Sequence, residues 1–479
     1  MSQKQPPKSY PTKLSKKWID PLYLAYQISI SDYKENWCFL YSALSKKIKN
    51  SKSYIGLYPI KQIVGDDFNE LKTNLENPSN QKNKYFGYFG YGLKNQLENL
   101  KTDENSFINL PDLWMINFGV VLEFNHDKKQ VLWHTNQSNK NSFEVDFADH
   151  IAFEIDNNKT SLVSNQALNL KVSMRKPILD RCANASLKNS IASFEIGDVL
   201  ESNFNKVEYL KKVKTIQSHI EAGDIYQANL TRKFFGEFAY KPKNNFEIFL
   251  ELTQASPANY SSFFKLDDNY IISSSPELFL KINKENVLSS PIKGTAKKFR
   301  NKKLDELSKQ NLQNSSKEQA ENLMIVDLVR NDLSKQCLVG SVRVKNLFKI
   351  SSYKTLHHLS SDICGIKKPD SSILDVIKSS FPAGSMTGAP KIKAMEICSN
   401  LEKQRRGVYS GAIGFVDHKN CNLSVAIRTL IVKENKFEFQ VGGAITFDSI
   451  PQKEWQETIN KARGIAKALG IKLSKLKAV

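Results

Sequence analysis

The chain contains no uninterrupted run of about 18 apolar residues, which argues against a membrane-spanning helix, and Met1 to Lys17 lack the apolar core of a secretory signal. Cysteine is scarce. There are 6 in 479 residues, at positions 38, 182, 337, 364, 398 and 421, with no C-x-x-C pair and no regular spacing. That scatter offers neither a disulfide framework nor a zinc site, so reduced thiols in a cytoplasmic protein without a membrane partner are expected. Acidic side chains are also under-supplied: 49 Asp and Glu against 69 Lys and Arg leave a net charge of +20. Such an excess raises nucleic-acid binding as a rival function. The lysines, however, are dispersed in short pieces such as Lys128-Lys129, Lys211-Lys212 and Lys302-Lys303, without a dense stripe interleaved with aromatics. No RNA or DNA signature accompanies them, so no nucleic-acid partner is expected, and a basic surface would instead gather an anionic small substrate.

What remains is ordinary globular composition, 40% hydrophobic and 25% charged, with length enough for a large core or several domains. Residues 1–17 read as a disordered tail, polar and with three prolines in the first eleven positions. From 18 to 165, short apolar runs separated by Asn, Gly and Lys read as strands: Trp37 to Tyr41, Tyr85 to Tyr91, Phe118 to Phe124 and Val131 to Trp133. A mixed polar stretch, 166–200, reads as a connection to a catalytic segment over 201–479. That segment opens with a helix capped by Asn205, with Glu208 as capping-box partner and Gly223 as stop. Further helices are expected after Ser315 or Ser316, from Pro390, and from Pro451 to Gly470. Strands are expected around Asn229 to Phe238 and Tyr270 to Ser275, and a hairpin-like pair over Val408 to Val416 and Leu423 to Val432. The irregular alternation indicates an α+β fold rather than a doubly wound sheet.

Several residues carry chemistry. Lys293, in Pro291-Ile292-Lys293-Gly294-Thr295, stands where a strand-like run meets a turn, and partial desolvation there would favour the neutral amine, a nucleophile or base. Glu318-x-x-Glu321 and Glu454-x-x-Glu457 each set two carboxylates one turn apart on a helix. If the two faces meet, they make a site of hard oxygen ligands suited to Mg²⁺. The loop Phe381 to Lys391, with two glycines and hydroxyls at Ser385 and Thr387 before a helix, can hold a carboxylate or be a plain tight turn. The same alternatives hold for Gly442-Gly443. Arg428, read as a charge inside an apolar strand, must be paired or bind an anion. His358 fits either a structural or an acid/base role, and Glu277, after a strand and a proline, can act as a general acid if buried.

In combination these segments resemble the chorismate-utilising enzymes. Ser274-Ser275-Pro276-Glu277, Pro291 to Thr295, Glu321 to Asp332, Phe381 to Lys391, Arg406 to Gly414 and Glu457 to Arg463 occur in that family's order. The strong resemblance covers about 200 to 470, with traces at Phe39 to Ser42 and Gly87 to Tyr91. The resemblance implies large antiparallel β-sheets packed on one another with helices outside, and a Mg²⁺-dependent chorismate site. It makes Glu321 and Glu457 metal ligands, with Glu318 and Glu454 beside them. It makes Arg428, Ser385, Gly442 and Gly443 holders of substrate carboxylates, with Thr295, Thr387 and Lys461 also at the substrate. Glu277 resembles the general acid and His358 a proton-handling partner. Gln227 fills a position where water-adding relatives carry lysine, which argues against isochorismate synthesis. Lys293 resembles the lysine of the aminodeoxychorismate synthase component I group, where the anthranilate synthases usually have alanine. The resemblance thus implies para-amination of chorismate by ammonia from a separate glutamine amidotransferase subunit, with ortho-amination to anthranilate as the alternative. One departure is Ala296-Lys297-Lys298, where relatives continue Arg-Pro-Arg.

Overall fold

A computed structural model describes residues 12–14, 18, 20–44, 51–98, 100, 105–135, 154–155, 170–171, 196–353 and 356–478. The tail over 1–17 and the connection over 166–200 lie almost wholly outside the described residues. Ten helices are described: α1 (Pro21–Ile30), α2 (Asn69–Glu76), α3 (Lys206–Glu221), α4 (Asn245–Ala255), α5 (Lys302–Gln313), α6 (Ser316–Ser334), α7 (Ile373–Ser380), α8 (Lys391–Glu402), α9 (Pro451–Ala468) and α10 (Leu473–Ala478). None is long and apolar enough to cross a membrane.

The local signals behave as their chemistry requires. Asn205 and Glu208 form the reciprocal capping box at the start of α3, and Gly223, at φ +79°, follows its end. Caps of this kind stabilise a helix by about 1 kcal/mol. Ser315 caps α6 through the Glu318 N–H, and Pro451 opens α9.

All strand pairings are antiparallel, and nearly all described strands join one hydrogen-bonded ribbon folded into two facing sheets. The first sheet runs in the order Ile196–Ser202, Gln227–Phe238, Lys436–Ile445, Thr429–Lys433, Asn269–Ser275, Tyr260–Leu266 and Trp37–Tyr41. The long strands Lys52–Gly65 and Leu113–Asn125 turn the corner. The second sheet continues through Lys84–Phe89, Ala412–Asp417, Asn420–Val425, Leu278–Asn283, Asn286–Ser290 and Leu356–Ile366 to the edge strand Arg343–Ser352. Strands from the N-terminal segment therefore pair with strands from the C-terminal segment on both sheets.

Side chains alternate along each strand and sort into separate cores. Phe264, Ile271 and Ile431 join Phe86, Ile413 and Phe415 between the sheets. Their neighbours Phe263, Ile272 and Leu430 face outward beneath α1, α4 and α9, while α2, α6 and α7 cover the outer face of the second sheet. This is the expected α+β arrangement, sheet on sheet with helices outside.

One strand expectation needs correction. Leu423 to Val432 is not continuous: Asn420–Val425 belongs to the second sheet and Thr429–Lys433 to the first. The chain changes sheets across Ala426 to Arg428, with Arg428 at φ +51°.

Candidate active site

Two crossings between the sheets build the centre of the site. The strand Asn269–Ser275 leaves the first sheet at Pro276-Glu277 and enters the second as Leu278–Asn283, alongside the crossing at Arg428. Backbone bonds lock them together: the Ser274 N–H donates to the Arg428 carbonyl at 3.1 Å, and the Val425 N–H to the Glu277 carbonyl at 3.0 Å. The kink aims both side chains into a cavity of about 630 Å³. Arg428 is thus not inside a strand, as the apolar run suggested, but at a break in one. Its Nη1 donates to Ser256 Oγ at 3.0 Å, and among the described residues no carboxylate pairs with it. A desolvated guanidinium stays charged, so it is set to receive an anion.

Glu277 is only 4% exposed, and burial pushes its carboxyl above the usual carboxylate range; a hydrogen bond from Ser385 and the nearby Lys293 charge oppose that rise only in part. Lys293 responds in the mirror sense. Desolvation lowers its pKa against the opposing pull of Glu321, and among the described residues its ammonium makes no hydrogen bond or ion pair. A carboxyl biased toward its acid form and an amine biased toward its free base therefore share one wall, the pattern by which titratable pairs divide acid and base roles.

Lys293 lies in the strand Ile292–Lys297 rather than on a turn. A register shift between Ile292 and Thr295 bulges that strand against Leu356–Ile366. Gly294, at φ +84°, makes the bulge, and a Cβ there would come within 2.9 Å of Glu318 Oε2. The next residue, Thr295, places Oγ1 3.1 Å from His358 Nδ1. His358 is buried, and burial together with the Arg428 charge pushes its pKa down to about 3. It is a neutral imidazole over the working pH range.

The two glutamate pairs, on α6 and α9, line the same cavity. Burial, then the neighbouring carboxylate, raises both Glu318 and Glu454, through Glu321 and Glu457 respectively. Glu457 moves the other way, because Lys461 bonds it at 2.6 Å. Among the described residues no three carboxylates converge closely enough to hold one ion. The donor set nevertheless fits a hard cation: four carboxylates, mutually repelling, on two helices facing one space.

The cavity wall includes Lys293, Glu277, His358, Thr295, Ser385, Arg428, Gly442 and Lys461 together with the four glutamates. Gln227, Thr387 and Gly443 are not in it. Gln227 is fully buried with both amide atoms unpartnered. Thr387 turns its hydroxyl onto the Gly384 carbonyl at 3.2 Å. Gly443 backs the carboxylates, since a Cβ there would lie 3.2 Å from Glu454 and 3.7 Å from Glu457. The Phe381 to Gly388 part of the loop is buried and only Pro390 within the segment is exposed, with Ser385 hydrogen-bonded to Glu277.

Sequence reasoning missed Tyr353, whose ring meets His358 edge-on at 5.3 Å, and the amides of Asn229 and Gln440. The latter two left a signal. Asn229, Thr231 and Lys233 alternate on one strand and Glu438 and Gln440 on its partner, all buried, so that polar residues of period two face inward. Such a row requires either internal partners or a ligand.

A family model described as chorismate binding enzyme matches residues 35–467. Aminodeoxychorismate synthase component 1 of Klebsiella aerogenes is 32% identical over 380 residues, 79% of this chain and 75% of that one. Anthranilate synthase component 1 of Aquifex aeolicus is 38% identical over 271 residues, 56% of this chain and 54% of that one, so the match spans about half of that relative. The crystal structure of anthranilate synthase component I from Streptococcus pneumoniae shares the fold, with a TM-score of 0.70 at 24% identity over 88% of this chain and 93% of that one.

Proposed function

The chain belongs to the chorismate-binding enzyme family, and from that premise we propose that it aminates chorismate at the para position to give 4-amino-4-deoxychorismate. The observation that carries this reading is Lys293: a desolvated amine in the wall of the cavity, without an ion pair among the described residues, beside a carboxyl held toward its acid form.

Arg428 and the backbone at Gly442 bind substrate carboxylate, the guanidinium supplying a charge that no carboxylate among the described residues takes up. Glu277 gives its proton to the ring hydroxyl, which leaves as water. The Lys293 amine forms a bond to the ring as that C–O bond breaks, and ammonia then replaces the lysine. The net change is chorismate plus ammonia to aminodeoxychorismate plus water. Neutral His358, fixed by Thr295, orients the reacting groups through hydrogen bonding. Glu321 and Glu457, with Glu318 and Glu454 adjacent, would hold Mg²⁺, whose chemistry when bound is to draw electron density from the ring through its carboxylate. Ammonia comes from a glutamine amidotransferase subunit in a heterodimer, or from free ammonium. A cytoplasmic setting and a role in p-aminobenzoate and folate synthesis accompany this reading.

The test is product identity. Purified protein with Mg²⁺, chorismate and ammonium is expected to yield 4-amino-4-deoxychorismate. Anthranilate with pyruvate as the main product would assign ortho-amination instead, and unconsumed chorismate would overturn the reading altogether.

A further inference from the structure

Ser385 and Glu277 are both more than nine-tenths buried, and the serine hydroxyl donates to Glu277 Oε1 at 2.6 Å. A hydroxyl has one proton to donate, and here it is committed to a protein carboxyl. We infer that Ser385 is a positioning residue for Glu277, fixing where the carboxyl stands and which of its oxygens protonates, and is not a holder of substrate carboxylate. This inference rests on the proton-donor role given to Glu277 above.

The surroundings leave both partners little freedom. The segment carrying Ser385 is pinned at four points: Arg406 Nη1 reaches the Met386 carbonyl at 2.8 Å, and Lys391 Nζ reaches the Pro382 and Ser380 carbonyls at 3.1 and 3.3 Å and Asp332 at 2.6 Å. Gly384 packs so closely that a Cβ would meet Leu328 at 2.8 Å. On the other side, the Glu277 backbone is held by its N–H to Ser275 Oγ at 3.3 Å and by its carbonyl to Val425. The main chain on both sides is thus fixed, and with it the separation that lets the Ser385 hydroxyl reach Glu277 Oε1. Behind the pair lies a separate space of about 10 Å³, bordered by Glu277, Ser289, Asp332, Ser380 and Ser385. It is room for one water, and the buried Ser380 hydroxyl has no partner among the described residues.

The consequence is electrostatic as well as geometric. Burial favours the protonated form of Glu277, whereas a donated hydrogen bond favours the carboxylate. The other groups bearing on Glu277 are Lys293 and Lys461 in the cavity wall, the Ile292 N–H, Tyr409, and the Asp332–Lys391 pair beyond the small space. Among the described residues Ser385 is the one neutral side chain bonded directly to the carboxyl, so its removal leaves burial less opposed. With the Ser385 proton on Oε1, the acid's own proton is left to Oε2.

The experiment follows chorismate consumption, whatever product forms, across pH 6 to 9.5, for wild type, Ser385→Ala and Ser385→Thr, with kcat and KM resolved. A reaction needing protonated Glu277 fails as pH rises through its pKa, so Ser385→Ala should carry the alkaline limb of kcat upward by about half a unit or more. It should lower kcat about tenfold, as losing one charge-assisted bond implies, with KM for chorismate within about twofold. Ser385→Thr should restore both. A tenfold rise in KM with an unmoved limb would make Ser385 a substrate holder; an unchanged limb and unchanged kcat would remove any coupling. Either overturns the inference. If near-UV circular dichroism shows that Ser385→Ala does not fold, Ser385→Cys, a weaker donor, must move the limb in the same direction, and an unmoved limb overturns it. Should the wild type leave chorismate untouched, the proposed function fails separately. Titration of the ¹³C-labelled Glu277 carboxyl, assigned with Glu277→Gln, then still decides whether losing the serine hydroxyl raises its pKa.

Discussion

Lys461 closes onto Glu457 one helical turn earlier, Nζ to Oε1 at 2.6 Å, and onto the Gly442 carbonyl at 2.7 Å. The lysine thereby ties α9 to the strand Lys436–Ile445 and keeps Glu457 ionised beside three other carboxylates. A cation entering between α6 and α9 would compete with Lys461 for that oxygen, and the pair is exposed enough that the competition would be mild.

Glu321→Gln and Glu457→Gln should each remove most of the turnover, because each takes a charged oxygen from the set that faces the cation. Activity titrated against Mg²⁺ should show the midpoint shifted by about tenfold or more to higher metal for either variant. A variant matching wild type at limiting Mg²⁺ is not a ligand.

Lys293 should form a covalent adduct with the chorismate-derived ring in a reaction run without ammonia and quenched in acid. Intact-mass measurement reads it directly. Lys293→Ala should lose the adduct and most para-amination yet keep its melting temperature, since the side chain makes no hydrogen bond or ion pair among the described residues. Near-normal turnover in Lys293→Ala would leave the amine an electrostatic role only.

His358 should show no ionisation between pH 5 and 9 by ¹⁵N NMR, because burial and Arg428 hold its pKa to about 3. The sign for stability follows. The unfolded chain binds this proton below about 6.5 and the folded chain does not, so stability is full above 6.5. It falls as pH drops toward 3, by up to about 1.4 kcal/mol per unit. Acid unfolding of His358→Gln should lack that increment, and a resonance titrating near 6.5 would contradict the burial.

Gly294→Ala combines two costs, a left-handed φ of +84° and a Cβ 2.9 Å from Glu318 Oε2. The backbone alone costs about 1–2 kcal/mol. Turnover should fall further than the melting temperature suggests, because the displaced groups are Lys293 and Glu318. Equal losses in both would place Gly294 outside the site.

Much of this was legible in the chain. Capping residues and helix stops placed α3, α6 and α9, since those signals act over a few residues. The spacing of Glu318, Glu321, Glu454 and Glu457 announced paired carboxylates on helix faces. What the sequence did not reveal was the change of sheet at Glu277 and at Arg428. A strand that crosses between sheets keeps its apolar character on both sides, so Leu423 to Val432 read as one element. The orientation of Ser385 was equally hidden: a serine between glycine and methionine announces a turn, and only packing decides whether its hydroxyl meets a ligand or Glu277. The inward polar row of Asn229, Thr231, Glu438 and Gln440 was visible but unread.

The ribbon of strands has a bearing on how the chain is made. Trp37–Tyr41 pairs with Tyr260–Leu266, and Lys84–Phe89 with Ala412–Asp417. An emerging N-terminus therefore presents unsatisfied strand edges until residues more than 200, and then more than 300, positions later leave the ribosome. Such edges are the sticky surfaces of nascent chains, and closures over these distances are slow. A catalytic half expressed from residue 201 would inherit the complementary fault, with Tyr260–Leu266 and Ala412–Asp417 left as bare edges. In halves supplied as separate polypeptides those edges would stay bare until the two met, whereas one chain brings each edge its partner.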